Sequence, residues 1–177
     1  MAWRVVDYLI GTAMASVVAW APLPTAKISF TGNASGLSLI SFTGECESCA
    51  EGEVSYDIGD TVGCAGTVRV DLWKLSTGSK GRDEDMQKVL AGSDRWKNRY
   101  ATLDFSMDMK RDRGRFNGQL SMNGKKKDIK GWAQVPCGLS WEMDMREWGY
   151  EPPKKDLGVG VLAMDPVVKV NAKVGRY

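Results

Sequence analysis

Four cysteines are the residues of this chain with the clearest capacity for chemistry. Cys46 and Cys49 form a Cys-x-x-Cys pair in a polar stretch, whereas Cys64 and Cys137 stand apart from it. A structural zinc site usually needs two close pairs, and a thioredoxin-like site places its pair between a strand and a helix. Two disulfides are therefore the favoured interpretation, with redox activity and four-cysteine metal binding as alternatives. Three connectivities are possible, of which Cys46–Cys49 with Cys64–Cys137 is favoured.

The chain contains no histidine, which removes Ser-His-Asp and Cys-His nucleophile systems and histidine-ligated metals. The commonest general acid or base is missing as well, so we expect a protein that is not an enzyme. The formal net charge is only +2, from 24 basic and 22 acidic residues, so we expect no nucleic-acid partner. The basic run 125–127 follows Asn123-Gly124 and indicates a solvated hairpin tip.

The elements that would position these residues are strands. Between residues 100 and 145, three segments alternate apolar and polar side chains almost without error, which is typical of an antiparallel sheet with one dry face. Shorter alternating or apolar segments predict further strands, and a polar loop is expected at 44–52 and a long loop after Pro152-Pro153. The predicted strands are 28–31, 37–43, 54–58, 66–76, 100–109, 115–123, 127–135, 137–146 and 167–174.

One helix is predicted at 82–91, with Met86, Val89 and Leu90 on one face and Gly92 beyond its end. Strands joined mostly to their sequence neighbours close best as an up-and-down barrel, because closure removes exposed sheet edges. The sequence thus predicts an all-β, antiparallel, lipocalin-like barrel of about eight strands, sealed by pairing of the last strand with the first. A two-sheet sandwich is the alternative.

The N-terminal segment has the composition of a targeting sequence. Residues 8–21 are uncharged and mostly apolar and follow Arg4, and this length suits a signal-peptide core better than a membrane span. We expect residues 1–26 to be a signal peptide or, alternatively, an apolar anchor that stays attached, and residues 27–177 to form the barrel domain.

Three stretches carry a resemblance to a known family. They are Asp71-Leu-Trp-Lys-Leu-Ser-Thr-Gly-Ser-Lys-Gly-Arg-Asp-Glu-Asp-Met86, Gly118-Gln-Leu-Ser-Met-Asn-Gly124, and Trp148-Gly149 followed by a closing strand at 165–170. In order and spacing, residues 27–175 resemble the YceI-like family of lipocalin-like, polyisoprenoid-binding proteins. The resemblance implies an exported bacterial protein whose elongated barrel holds a long isoprenoid chain. Two histidines that the family commonly carries are absent here.

The dry faces of the strands supply the candidate ligand-binding residues. Burying one CH₂ group is worth about 0.8 kcal/mol, whereas a neutral hydrogen bond nets about 1 kcal/mol, so the lining should dominate the affinity. The same side chains could instead fill a solid core. Trp132 lies on the parity opposite to its apolar neighbours and is left unassigned. The predicted lining residues are Val54, Tyr56, Leu103, Phe105, Met107, Phe116, Leu120, Met122, Leu139, Trp141 and Met143.

Arg82 and Asp83 have two interpretations. Arg82 could reach the barrel mouth and meet a phenol, quinone or phosphate head group, and it is therefore included among the candidate ligand-binding residues. Alternatively, Asp83 favours the start of the helix and Arg82 pairs with a nearby carboxylate, which is the preferred interpretation.

The predicted function is that of a non-enzymatic carrier for a long isoprenoid lipid, periplasmic or secreted and possibly anchored in the envelope. No cofactor is expected apart from a bound polyisoprenoid or quinone-like lipid. A structural module that docks on an envelope protein partner is the alternative, and a thiol oxidoreductase using Cys46 and Cys49 is less favoured. The sequence leaves the oligomeric state open.

Overall fold

The computed structural model describes residues 23, 26–35, 40–58, 62–91, 94, 96, 98–110, 112–135, 137–156, 158 and 160–174. Within these ranges it contains eleven strands, one α-helix and two short 3₁₀ helices, at Leu72–Lys74 and Met145–Trp148. The helix α1 spans Lys80–Ala91. The strands are β1 Lys27–Ser35, β2 Ile40–Glu47, β3 Ala50–Ile58, β4 Val62–Asp71, β5 Tyr100–Lys110, β6 Arg113–Met122, β7 Lys125–Gln134, β8 Gly138–Asp144, β9 Lys154–Asp156, β10 Val161–Met164 and β11 Val167–Lys173.

All eleven strands belong to one antiparallel sheet that curls around its apolar face. The main order is β3-β4-β5-β6-β7-β8-β11-β1, after which β2 pairs with β1, while β10 and β9 extend the far end of β1. The predicted all-β barrel with one helix is confirmed, and its count of about eight strands is corrected to eleven. Of the eleven, β9 and β10 match none of the nine predicted strand ranges and lie in the predicted loop after Pro152-Pro153, where short segments carry too little alternation to be recognised.

The predicted pairing of the last strand with the first is confirmed, since Lys27–Thr31 of β1 pairs with Lys169–Lys173 of β11. The break in the sheet lies instead between β2 and β3, which no ladder joins within the described ranges. The chain turns directly from β2 into β3 through Ser48 and Cys49. Below this corner, Glu45 N donates to Ser76 O (2.8 Å) and Ser76 N donates to Glu45 O (2.9 Å), so the segment after β4 covers part of the seam.

The predicted loop at 44–52 was wrong, because β2 continues to Glu47 and β3 begins at Ala50. The two glycines of this segment, Gly44 and Gly52, lie within the ladders, where Gly44 faces the ring of Phe30 and Gly52 faces the backbone of Thr67. The predicted strand at 66–76 ends early at Asp71, whose carboxylate accepts a hydrogen bond from Trp73 N (3.1 Å) and starts a 3₁₀ helix. The strand predicted to reach residue 146 ends likewise at Asp144, which accepts from Arg146 N (3.0 Å).

The helix α1 packs on the 3₁₀ helix Leu72–Lys74 with its apolar face on the core, and it is tied to the loop before it. Leu90 is buried in the core, and Met86 and Val89 pack against it. The carboxylate of Asp83 accepts hydrogen bonds from Thr77 N (2.7 Å) and Ser76 Oγ (2.8 Å). Among the described residues, no helix has the length and apolar content needed to span a bilayer.

Every phenylalanine of the chain lies directly across from a glycine on a neighbouring strand. Phe30 pairs with Gly44, and Phe42 pairs with Gly32. Phe105 lies between Gly66 and Gly118, and Phe116, which is 0% exposed, pairs with Gly131. Because glycine carries no side chain, each ring can lie over the facing backbone, which fills the space where a sheet bends.

These pairs predict that Gly131→Ala destabilises the protein. A Cβ at Gly131 would lie 2.5 Å from Phe116 Cε1 and would also overlap the backbone of β8, so about 1–3 kcal/mol of unfolding free energy should be lost. Gly81→Ala is the matched control, since nothing lies within 4 Å of its Cβ position and alanine favours a helix. Urea unfolding of both variants tests whether Phe116 packs over Gly131, and equal free energies of unfolding for the two variants would contradict this packing.

Candidate functional site

The candidate site is the apolar interior of the curled sheet, which we call the lumen. Of the predicted lining residues, Val54 is half-buried and packs on the core, and the side chain of Tyr56 lies outside the described part of the structure. The remaining predicted residues are all buried in one contiguous apolar cluster. They are Leu103, Phe105, Met107, Phe116, Leu120, Met122, Leu139, Trp141 and Met143.

One end of the lumen is closed by a disulfide that joins opposite walls. Cys64 on β4 is bonded to Cys137, which immediately precedes β8, with a Cα–Cα distance of 6.3 Å. Three strands separate β4 from β8, so the path along the sheet is about 19 Å at the usual strand spacing. The two walls therefore meet here. Cys64 pairs with Met107, which pairs in turn with Phe116, and Met109 lies two residues farther along β5. Met109 and Phe116 are both inaccessible to water.

The other end carries half-buried apolar side chains that we call the mouth: Phe30, Phe42, Met145 and Met164. Strand β8 runs from Cys137 at the closed end to Met145 at the mouth. The rings of Phe30 and Phe42 meet edge to face at 6.3 Å. A Cβ on Gly32 would lie 2.7 Å from Phe42 Cζ and 3.3 Å from Met164 Cε, so these side chains are neighbours.

The mouth residues were missed by the sequence analysis. Met164 lies on β10, which was not predicted, and Met145 lies in the 3₁₀ helix after β8. Phe30 and Phe42 occupy alternating positions of short strands, and this alternation was the available signal.

Among the described residues, no charged side chain on the inward parity of the strands is fully buried, but Lys127, which pairs with the inward Leu120, is half-buried and contacts Glu147 at 3.5 Å. Asp71 and Asn98 are the only buried polar residues among those that the structure describes, and Asp71 lies on the outward parity of β4, outside the lumen. Its carboxylate accepts a hydrogen bond from Arg99 Nη2 at 2.6 Å. Burial alone would raise the pKa of Asp71, but the hydrogen bonds from Arg99 and from Trp73 N lower it below its ordinary value.

Three buried hydrogen-bond donors have no protein partner within the described ranges: Trp141 Nε1, Trp148 Nε1 and Tyr150 Oη. Burial raises the pKa of Tyr150 to about 12, so its hydroxyl stays protonated at neutral pH. Tyr150 N donates to Met145 O (3.2 Å), which places Tyr150 beside the mouth. Unpaired buried donors are rare, and a ligand or water oxygen is the usual partner.

Arg82 is exposed on α1, and its Nη2 donates to Thr77 O at 3.3 Å. Burial would raise the pKa of the neighbouring Asp83, but hydrogen bonds from Thr77 and Ser76 lower it below its usual range. Both residues hold the loop before α1, which favours the structural interpretation of this pair.

Cys46 and Cys49 form the second disulfide, at the corner between β2 and β3, so both bridges have the favoured pairing. Both residues are 4% exposed, and a thiol exchange site needs an accessible sulfur. This burial argues against the oxidoreductase alternative. Four paired cysteines also leave none for a metal.

Trp132 lies on the outer face of the barrel and is 62% exposed. The guanidinium of Arg115 stacks 4.5 Å from its ring centre. Trp132 therefore takes no part in the lumen. A depression of about 380 Å³ beside it is also on the outer face, between β6 and β11.

A curled antiparallel sheet around an apolar lumen, with one inserted helix, defines a lipocalin-like β-barrel protein. The family model described as the YceI-like domain matches residues 23–175, and the chain belongs to this family.

Two solved structures share the fold. A polyisoprenoid binding domain from Saccharophagus degradans, implicated in plant cell wall breakdown, is 13% identical with a TM-score of 0.58, and the match covers 88% of this chain and 95% of that one. BcnA from Burkholderia cenocepacia is 14% identical with a TM-score of 0.55, and the match covers 85% and 98% of the two chains. A comparison with curated proteins gave no match.

The two disulfides should differ in their contribution to stability. Cys64 and Cys137 are 73 residues apart, whereas Cys46 and Cys49 are separated by three. A disulfide that closes a longer loop restricts the unfolded chain more. The free energy of unfolding should therefore fall by about 4 kcal/mol in Cys64→Ala/Cys137→Ala and by about 2 kcal/mol in Cys46→Ala/Cys49→Ala. Urea unfolding of each double variant measures this difference. A larger loss from the corner bridge would contradict the cross-lumen assignment.

Proposed function

We propose that this protein is a non-enzymatic carrier that holds a long isoprenoid-type lipid in its lumen. The observation that carries the proposal is an apolar lumen, closed at one end by Cys64–Cys137 and bordered at the other by half-buried phenylalanine and methionine side chains. Methionine adapts its shape to an irregular chain, and apolar clefts of this kind suit lipids. The Saccharophagus degradans neighbour, described as polyisoprenoid-binding, supports the same ligand class.

The lining should supply most of the affinity. Removing a five-carbon unit from water is worth up to about 3 kcal/mol by area, although large ligands realise nearer 0.3 kcal/mol per heavy atom. A neutral oxygen of a head group, such as that of an alcohol or a quinone, could accept a hydrogen bond from the unpaired Tyr150 hydroxyl near the mouth.

We further propose that the protein acts in the bacterial cell envelope. Disulfides form and persist in oxidising compartments, and two pairs are formed here. The apolar segment at 8–21 lies outside the described residues, and its role as a signal or an anchor stays a prediction.

Binding can be tested with a polar substitution on the lumen side. Geranylgeraniol should quench the tryptophan fluorescence of the wild type, because Trp141 packs against Phe116 in the lumen with ring centres 5.8 Å apart. Met143→Gln should weaken the affinity about tenfold, since its buried amide would lose hydrogen bonds to water. Glu142→Gln, on the exposed face of the same strand, is the matched control and should bind as the wild type does.

Organic extraction of protein purified from its native host, followed by mass spectrometry, should release an isoprenoid lipid. An extract without lipid, together with no saturable quenching, would rule the carrier function out. Equal weakening by the Met143 and Glu142 variants would move the binding site out of the lumen.

The proposed export predicts the N-terminus of the mature protein. Cleavage of a signal peptide should give a chain that starts near residues 22–27, as measured by N-terminal sequencing of protein from the native host. Retention of Met1 on membrane-associated protein would instead support the anchored alternative. Retention of Met1 with the cysteines reduced in the cytosol would contradict an envelope location.

A further inference from the structure

We propose that the Cys64–Cys137 disulfide and Met109 form a stop that sets the longest isoprenoid segment this lumen can enclose. The inference rests on the proposed lipid-binding function and deepens it, because it assigns to three residues the choice between shorter and longer chains.

The stop follows from the distance between the walls. Two sheets that pack face to face are about 10 Å apart, and that space is already filled by their own side chains. At the closed end the Cα atoms of Cys64 and Cys137 are only 6.3 Å apart. A hydrocarbon chain therefore cannot pass between the walls at this level.

The neighbouring side chains fill what the bridge leaves. Met109 of β5 lies two residues beyond Met107, the register partner of Cys64, and is 0% exposed. On the opposite wall, Cys137 O accepts a hydrogen bond from Val174 N (3.1 Å), which fixes the position of the cysteine against β11. The end is thus closed by packed atoms as well as by a covalent bond.

A lumen with one entrance and a stop has a measurable signature. The tail enters first, and each further isoprene unit adds buried apolar area only until its end reaches the bridge. Beyond that length, additional units remain outside the mouth and add almost nothing. Affinity should therefore rise with chain length and then become constant, and the length at which it does so reports the position of the stop.

The test is the affinity of the full-length protein for geraniol, farnesol, geranylgeraniol and solanesol. Each added unit below the limit should tighten binding about tenfold, from five heavy atoms at the efficiency of large ligands. In Cys64→Ala/Cys137→Ala the walls are no longer tied and the rise should continue to a longer prenol. Met109→Ala keeps the disulfide and should shift the limit in the same direction, so the test does not depend on the folding of the double variant.

Cys46→Ala/Cys49→Ala is the matched control. It removes a disulfide of the same chemistry at the β2–β3 corner, away from the closed end, and should leave the limiting length unchanged. Prenol binding with the same limit in the wild type, the Met109 variant and the Cys64/Cys137 variant would overturn the stop while leaving the carrier function standing. Absence of binding by the wild type to every prenol would overturn the carrier function itself.

Discussion

The architecture depends on the way that large side chains share the inside of a strongly bent sheet with glycine. Phe30 and Phe42 lie across from Gly44 and Gly32 on the β1–β2 pair, and this exchange recurs for Phe105 and Phe116 on the opposite wall. The facing glycines let the strands coil and let the rings lie against backbone instead of against other side chains. Without this complementarity, a sheet of this size would open and its apolar face would meet water.

Strict alternation was enough to predict the strands of the central wall. Between residues 100 and 122, a one-residue shift would turn every apolar side chain outward, so the pattern fixes the two faces. In 44–52, glycine and polar residues interrupt the alternation, but the strands continue because β2 pairs with β1 and β3 pairs with β4. The sequence of 44–52 alone does not contain this pairing. The ends of β4 and β8 are set by Asp71 and Asp144, whose carboxylates cap short 3₁₀ helices. Such local hydrogen bonds compete with strand pairing and leave little trace in the alternation.

The candidate site was predictable in its lining and unpredictable in its two ends. Parity alone identifies Leu120 or Met143 as inward-facing. That Cys64 reaches Cys137 depends on the curvature accumulated over four inter-strand steps, which no local pattern contains. The mouth could not be predicted either, because Met164 lies on β10, which the sequence pattern does not indicate. The two ends of the lumen therefore differ, one closed by the disulfide and one bordered by the mouth. A bound lipid would lie with its tail toward the disulfide and its polar end toward Tyr150.

The central claim is that the curled sheet encloses a lipid chain whose tail ends at the Cys64–Cys137 disulfide. A crystal structure of the protein loaded with geranylgeraniol tests it most directly. The account predicts continuous elongated density that begins between Phe42 and Met164 and ends in contact with the disulfide. Density confined to the outer surface, or an interior filled by the protein's own side chains from Phe116 to Phe30, would contradict it.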